Sequence, residues 1–595
     1  MQENRFNYEP PLLIFLLVFS LYLFSMQPSL SLGDGGELTC AAYFLGCAHP
    51  PGFPLFVSMS HLISLLPVGE VALRGNVFSA LFGSLVAALI FIWLVEIHGK
   101  ILAALGAIAV AAVPIFWEES TRIRTYPLLA FFVVLILLIW RASLKEKKWE
   151  LFVASFFVLG IGLGAHQLLA GMLPAAAVIS WAFREKIKKF WQLALALALG
   201  VLIFPHLLFR SGAGFCWGAP KDFSDFLAII FQKQYQSKMA TFALSTWLAM
   251  LKTEFFSFAS QYAGLWLLAP LGFLVALTRE RVFTIACMVA WLSMIFIRSG
   301  YIGTGEFSQV TRYLLGCYAL FGVFCIEGLA WLLSRLRTAK QTIAFFVSFV
   351  LACSLVYRGA SVNWQVNNRV AEQWATGFLY SRPFGSILVV GGDNDIFPLW
   401  YQQRAALYRA DVVAMGRPGF WSGWLIGELK KRLSLSDSKY QELIKGGSEM
   451  VEGDEMGRVR FFGFLKLAPK LRPSFVLFDY TEPQDENSWA LLNLEWKLVP
   501  RHYGFELVPH AIDSALSIVE VPSDPLWPLL SFRHGFERTA HEKEVAQTAS
   551  NLLAALGRAY FKSGDLSGAL KVFESACKIC PDNPDLRNVC SSLLR

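Results

Sequence analysis

Charge is what this chain has least of. Only 16% of its 595 residues are Asp, Glu, Lys or Arg, against 55% hydrophobic, and the mean hydropathy is +0.49. That balance excludes an ordinary soluble domain and points first to a polytopic membrane protein. Paired cysteines are also missing: the 10 present are scattered, several inside apolar runs, with no spacing that makes a disulfide framework or a zinc site. Cys577 and Cys580 form a CxxC without a second pair, so both read as packing residues. The glycine turn at 391–392 lacks a dinucleotide or Walker pattern, which removes a phosphate-cradling loop and leaves a strand-to-helix turn. No small-residue cleavage site ends the first apolar run, so it reads as an uncleaved span and not a leader.

Apolar runs near the roughly 20 residues needed to cross a bilayer recur between residues 11 and 357. The formal charge of +8 sits mostly in short loops between them. Lys145, Lys147 and Lys148, then Arg184, Lys186, Lys188 and Lys189, then Arg279 and Arg281, then Arg335, Arg337 and Lys340 form four clusters. Basic loops of this kind stay in the cytoplasm, so they set topology and do not signal a nucleic-acid partner. With all four inside, spans must pair. About 11 are expected, near 11–27, 77–97, 101–115, 127–140, 150–164, 171–183, 190–209, 261–277, 283–297, 312–333 and 341–357. The run from Phe53 to Leu66, broken by His61 and bounded by Pro54 and Pro67, would spoil that parity if it crossed. It is expected to be interfacial or re-entrant, within one long outer loop, 28–76. The N-terminus is then cytoplasmic, His166 lies outside in the turn between two spans, and everything after 358 is extracytoplasmic.

Residues 358–530 read as a small α/β domain, with strand-like runs at 386–390, 411–415, 474–479 and 515–521. At the C-terminus Leu556-Gly557, Tyr560, Gly564, Ala569, Phe573, Ala576 and Pro581 match the tetratricopeptide consensus in type and spacing. One repeat cannot bury its own face, so 536–595 should pack on a neighbouring helix, 536–549, or on a protein partner. The fold class is therefore a polytopic α-helical membrane domain, 1–357, followed by an extracytoplasmic α/β domain and a helical repeat.

Chemistry concentrates in the first outer loop, Gly33-Asp-Gly-Gly-Glu37 and onward to His49-Pro-Pro-Gly-Phe-Pro54. A carboxylate on a glycine turn at the membrane face can act as general base toward an acceptor hydroxyl, and flanking glycines let a substrate approach the backbone. Asp34 is the candidate, with Glu37 beside it on the next helical turn. The other role open to Asp34 is capping a helix over 36–46.

The Asp-x-Gly-Glu-Leu, Ala-Ala, Leu-Gly and His49-Pro-Pro-Gly-Phe-Pro-Leu55 pattern resembles the multi-pass GT-C transferases that include the protein O-mannosyltransferase-like family, glycosyltransferase family 117. Similar matches follow in order: Arg74-x-Asn76-x-Phe-Ser-Ala80, Phe116-Trp117, Gly162-Leu-Gly-Ala-His166, Arg210 with Trp217-Gly-x-Pro220, Gln234-Tyr235, Arg312-Tyr313 and Gly392-Asp-Asn-Asp-x-x-Pro-Leu-Trp-Tyr401. The resemblance implies a membrane glycosyltransferase of the cell envelope. It would take a sugar, mannose among the candidates, from a polyprenyl-phosphate carrier and transfer it with inversion to a protein or glycan acceptor outside the cytoplasm. Two positions depart from the family: Gly35 replaces a usual Ser, and Arg124 stands near a usual acid, with acids displaced to Glu118 and Glu119.

Arginine neutralises phosphate through forked hydrogen bonds, and Arg122, Arg124, Arg210 and Arg312 all fall at expected outer ends of spans. Each could equally snorkel at the interface. His49 and His166 could bind phosphate or shuttle a proton, and Trp217 could stack on sugar or anchor the interface. The implied co-substrate is the lipid-linked sugar, within the membrane lipid. No metal spacing is evident, although Asp34 and Glu37 leave a divalent ion open. The competing function is a transporter or flippase of an envelope lipid or glycan, with coupling protons on the same carboxylates. The cell (inner) membrane of a bacterium is the expected location.

Overall fold

The computed structural model describes residues 9–238, 244–299, 311–335, 340–380, 382–445, 456–471, 475–477, 496–501, 504–509, 540–562 and 564–593. Its chain divides into two compact units, Met1–Pro28 with Ala41–Asn368, and Ser29–Cys40 with Arg369–Arg595. The predicted loop 28–76 is thus not one structural piece. Residues 29–40 of it group with the C-terminal unit, and by residue 71 the chain is already in the next long helix.

The larger unit is α-helical and polytopic. Among the described residues six helices are long and apolar enough to cross a membrane: Val71–Ala111, Tyr126–Glu146, Trp191–Phe209, Trp247–Arg279, Arg281–Ser299 and Thr311–Ser334. Shorter apolar helices run Glu9–Ser25, Pro54–Ser64, Trp149–Leu163 and Gln167–Ala182. Pro54–Ser64 has 11 residues, a rise of about 16 Å at 1.5 Å per residue, which is too short for a bilayer core of about 30 Å. The first long helix is two segments joined at Gly99, whose φ of +76° is closed to most side chains. Gly106 packs on Leu94, so the chain folds back there, between the expected spans 77–97 and 101–115.

Close helix contact uses small residues where lipid supplies no hydrophobic drive. Gly272 faces the Phe324 carbonyl and Gly328 faces that of Leu268, bringing Ala269–Arg279 against Leu315–Ser334. Several buried polar atoms bridge the helices: Tyr22 Oη donates to the Ala111 carbonyl at 2.8 Å, Trp117 Nε1 to Ser25 Oγ at 2.8 Å and Trp140 Nε1 to Ser155 Oγ at 2.8 Å. Arg141, only 4% exposed, donates through Nε and an η nitrogen to both carboxylate oxygens of Glu280 at 2.8 Å each.

The smaller unit holds a five-stranded sheet of β1 (Ile387–Val390), β2 (Val413–Gly416), β3 (Phe475–Leu477), β4 (Trp496–Arg501) and β5 (Gly504–Pro509), in the order β2-β1-β3-β5-β4. The first three are parallel, with Ile387 opposite Val413 and Phe475, and β5 runs antiparallel to both neighbours. Strand β1 is apolar and buried throughout, as parallel strands covered on both faces are. It leads through Gly391 and Gly392 into helix Asp393–Arg404. The expected strand at 515–521 lies outside the described residues.

At the C-terminus helix Ala540–Lys562 packs on Leu566–Ile579, with Gly564 at φ +88° between them and the Asp565 side chain capping through Gly568 N at 2.8 Å. The expected separate helix 536–549 is instead, from 540, the start of the repeat's own first helix. An amphipathic helix had no breaker there to end it.

Two cysteine expectations are overturned. Cys577 bonds to Cys590, not standing as a packing residue beside Cys580, and Cys47 bonds to Cys216 across 169 residues. A bridge between two loops leaves no local spacing to read. Around the second bridge Phe204, Leu207, Phe226 and Ile229 form a buried core.

Candidate functional site

The acidic turn belongs to the smaller unit. Gly33 has φ +67°, and helix Gly35–Tyr43 starts two residues later, shorter than the expected 36–46. The Asp34 carbonyl accepts from Leu38 N at 2.9 Å, and Thr39 Oγ1 donates to the Gly35 carbonyl at 2.6 Å. Asp34 is half-buried and Glu37 fully buried. Gly33 N donates to Asn394 Oδ1 at 2.8 Å, and Gly36 lies against the Phe397 carbonyl. One turn along, burial pushes the Cys40 thiol up to about 12; Arg404 opposes this and Glu37 adds to it. The helix passes from one unit to the other between Cys40 and Ala41.

In the membrane unit the loop after that helix is a tight hairpin. Gly52 N donates to the His49 carbonyl at 2.8 Å, the Pro50–Pro51 peptide is cis, and Gly52 and Phe53 both have positive φ before Pro54 opens the next helix. Trp217 N donates to the Cys47 carbonyl at 2.9 Å, beside the Cys47–Cys216 bridge. Rings from five segments come together here. His49 is 6.1 Å from Trp217 and 5.1 Å from Phe53, Phe53 is 5.5 Å from His166, and His166 is 5.9 Å from Tyr126 and 5.6 Å from Tyr313, between centroids. The Arg312 guanidinium lies 5.6 Å over Tyr126. The structure thus gathers His49, His166, Trp217 and Arg312, which the sequence proposed separately. It adds Phe53, Tyr126 and Tyr313, of which Phe53 and Tyr313 stood in quoted motifs without an assigned role and Tyr126 did not.

His166 Nδ1 accepts from Leu168 N at 3.2 Å, so the neutral ring carries its proton on Nε2. Burial, with the neighbouring His49, lowers its pKa to about 3. It is an N–H donor, not a cation, at neutral pH. Beside His49 and Trp217 opens a cleft of ≈ 310 Å³ lined by Pro50, Gly218, Asp225, Lys233 and Gln234, and Gln234 Oε1 accepts from Trp217 Nε1 at 3.4 Å.

The remaining arginines are set differently. Arg210 donates through Nε to the Leu45 carbonyl at 2.7 Å and through an η nitrogen to that of Phe44 at 3.1 Å, holding the chain beyond helix Gly35–Tyr43. Arg122 pairs with Glu118 and, at 3.3 Å, with Glu119; the fully buried Arg124 lies 3.6 Å from Glu119. The acids displaced from the family position therefore sit against the two arginines.

A multi-span helical unit with a cluster of rings beside a small polar cleft, together with an α/β unit that holds an acidic turn, defines a polytopic membrane protein. Comparison narrows this. Residues 34–190 match the family described as the protein O-mannosyl-transferase TMEM260 N-terminal domain, 371–445 the TMEM260-associated domain 2, and 557–589 the TPR repeat. The chain is 26% identical to the protein O-mannosyl-transferase TMEM260 of Mus musculus over 458 residues, covering 71% of this chain and 64% of that protein. It is 27% identical to the Dictyostelium discoideum tmem260 over 184 residues, 28% and 22% of the two chains. The chain thus spans less than two thirds of the length of these relatives. Solved structures with similarity include ArnT from Cupriavidus metallidurans bound to undecaprenyl phosphate (TM-score 0.45, 13% identity, 69% of this chain and 91% of that one). The Archaeoglobus fulgidus oligosaccharyltransferase also aligns (0.41, 13%, 84% and 73%). In sequence, then, the chain resembles proteins described as protein O-mannosyl-transferase TMEM260, and it carries a C-terminal tetratricopeptide repeat.

Proposed function

We propose that the protein is a membrane glycosyltransferase that moves a sugar from a polyprenyl-phosphate carrier to a protein or glycan acceptor outside the cytoplasm. The observation that carries this is the Gly33–Glu37 turn, with a reachable carboxylate at Asp34 on a rigid glycine-bounded frame and Glu37 buried behind it. The first family match begins at that acid. In this reading the acceptor hydroxyl oxygen attacks the anomeric carbon while Asp34 takes its proton. The bond from that carbon to the carrier oxygen breaks, its electron pair leaves on the polyprenyl phosphate, and the configuration inverts.

The carrier phosphate needs neutralising donors, and Arg312, Arg122 and Arg124 are the candidates, with His166 Nε2 as a neutral donor. Trp217 and His49 offer ring faces for the sugar. Arg210 acts as a positioning residue. The leaving group is the donor's own phosphate, and no resident cofactor enters the scheme.

Topology follows the same reading, with the N-terminus cytoplasmic and Asp34, the ring cluster and the repeat outside. Disulfides persist in oxidising compartments, and the Cys47–Cys216 and Cys577–Cys590 bridges support that side.

The test is Asp34→Asn in protein reconstituted with a polyprenyl-phosphate sugar. Transfer should fall at least about 100-fold while membrane insertion is unchanged. General-base assistance alone contributes about 10²–10⁴, so full activity in the variant refutes the role. Counterflow of labelled lipid-linked sugar without covalent transfer identifies a transporter instead.

A further inference from the structure

Outside the chemistry just described, one side chain joins three parts of the smaller unit. Asn394 lies in the first turn of helix Asp393–Arg404, buried with 7% exposure. Its Oδ1 accepts from Gly33 N at 2.8 Å, and its Nδ2 donates to Glu544 Oε2 at 2.8 Å. Glu544 is an exposed residue in the first turns of Ala540–Lys562, the opening helix of the tetratricopeptide repeat. The sequence separations are 361 and 150 residues, so neither bond is a by-product of local chain geometry. The next residue is fixed as well: Trp374 Nε1 donates to Asp395 Oδ1 at 2.9 Å in a buried contact. That bond stops the helix start from rotating, which gives Asn394 one orientation.

We infer that Asn394 is a positioning residue that couples the C-terminal repeat to the Asp34 turn, so that a protein docking on the repeat alters the set of the catalytic carboxylate. An amide presents an acceptor and a donor at fixed angles, and here the acceptor faces the turn and the donor faces the repeat. Moving the repeat's first helix pulls on Glu544, and through the one rigid amide on Gly33, the residue before Asp34. A tetratricopeptide repeat is a docking element, and Glu544, exposed at its edge, is the handle. The idea rests on Asp34 being the base, but its mechanical part does not.

Three variants of the full chain in detergent or nanodiscs separate these, read by hydrogen exchange of the 29–40 segment and by transfer kinetics. Asn394→Leu removes both bonds, so exchange at Gly33 and its neighbours should rise about tenfold or more and kcat should fall with little change in KM for the donor. Asn394→Asp keeps the acceptor for Gly33 N and sets a carboxylate against Glu544. Exchange should then rise chiefly at 540–548 and respond less at 29–40. Asn394→Asp with Glu544→Gln restores a donor facing an acceptor, and exchange in both segments should return toward the wild-type pattern. Unchanged exchange at 29–40 in Asn394→Leu, or no rescue in the double variant, overturns the coupling. Exchange that behaves as expected in a protein that transfers no sugar leaves the coupling standing and removes the transferase reading. Transfer that proceeds with exchange unmoved does the reverse.

Discussion

Gly36 and Phe397 are in backbone contact: a Cβ at Gly36 would fall inside the carbonyl group of Phe397. Gly36 has a helical neighbourhood where alanine is intrinsically better by about 1 kcal/mol, so the glycine is there for the approach and not for propensity. Gly36→Ala should therefore destabilise the smaller unit by about 1–3 kcal/mol, the usual range for overpacking. It should also raise protease or exchange sensitivity at 29–40. A more stable variant would mean the contact is not made.

Arg141 and Glu280 form a two-bond pair at the junction between helices Ala269–Arg279 and Arg281–Ser299. Glu280 is half-buried and Arg141 also donates to Glu96 Oε2 at 3.0 Å, so removing one partner should cost less than the about 3–5 kcal/mol of an isolated, fully buried pair. Arg141→Met and Glu280→Gln should each lower thermal stability more than the double variant predicts by addition. Additive losses in a double-mutant cycle would show that the two do not interact.

The Cys47–Cys216 bridge spans 169 residues. Chain entropy sets an upper bound of about 5 kcal/mol for a loop that long, and helices retained in the bilayer reduce it. A non-reducing digest should yield a linked peptide containing both residues. The Cys47→Ser, Cys216→Ser pair should lower Tm and loosen the 44–53 hairpin that carries His49. Alkylation of both thiols without reductant would contradict the bridge.

His166 carries a pH signature. Its pKa is about 3 when folded against about 6.5 unfolded, so below pH 6.5 the unfolded chain binds a proton that the folded chain refuses. Stability is full above pH 6.5 and declines as pH falls toward 3, at up to about 1.4 kcal/mol per pH unit for this group. His166→Asn retains an acceptor for Leu168 N and should flatten that part of the acid limb, measured as the difference in Tm between the two proteins at pH 7 and pH 5. Equal acid sensitivity in both would show that the ring already titrates freely in the folded protein.

Much was readable along the chain because its causes are local. Apolar length marks helices long enough for a bilayer, the glycine between Leu94 and Gly106 permits a reversal, and Leu556 to Pro581 spell one helical repeat. The β-branched run ending at Val390 and the two glycines after it form a strand-to-helix turn because nothing else satisfies that composition. Asp34, His49, His166, Trp217 and Arg312 stood out since charged or aromatic groups at span ends are expensive to keep idle. Arg210 stood out for the same reason, yet its donors go to the Phe44 and Leu45 carbonyls. Charge type alone does not say which oxygen a guanidinium meets.

The sequence by itself determined that the chain is membrane-embedded, that it is mostly helical, and which loop carries the acid, since each follows from composition or from spacing within about 20 residues. Only the tertiary structure decided that Ser29–Cys40 groups with a unit starting more than 300 residues later. It also decided which cysteines join, and that His49, Phe53, His166 and Tyr126 share one cluster of rings. Those relations depend on the closing of long loops, whose entropy cost grows so slowly with length that no local pattern records which distant partner was chosen.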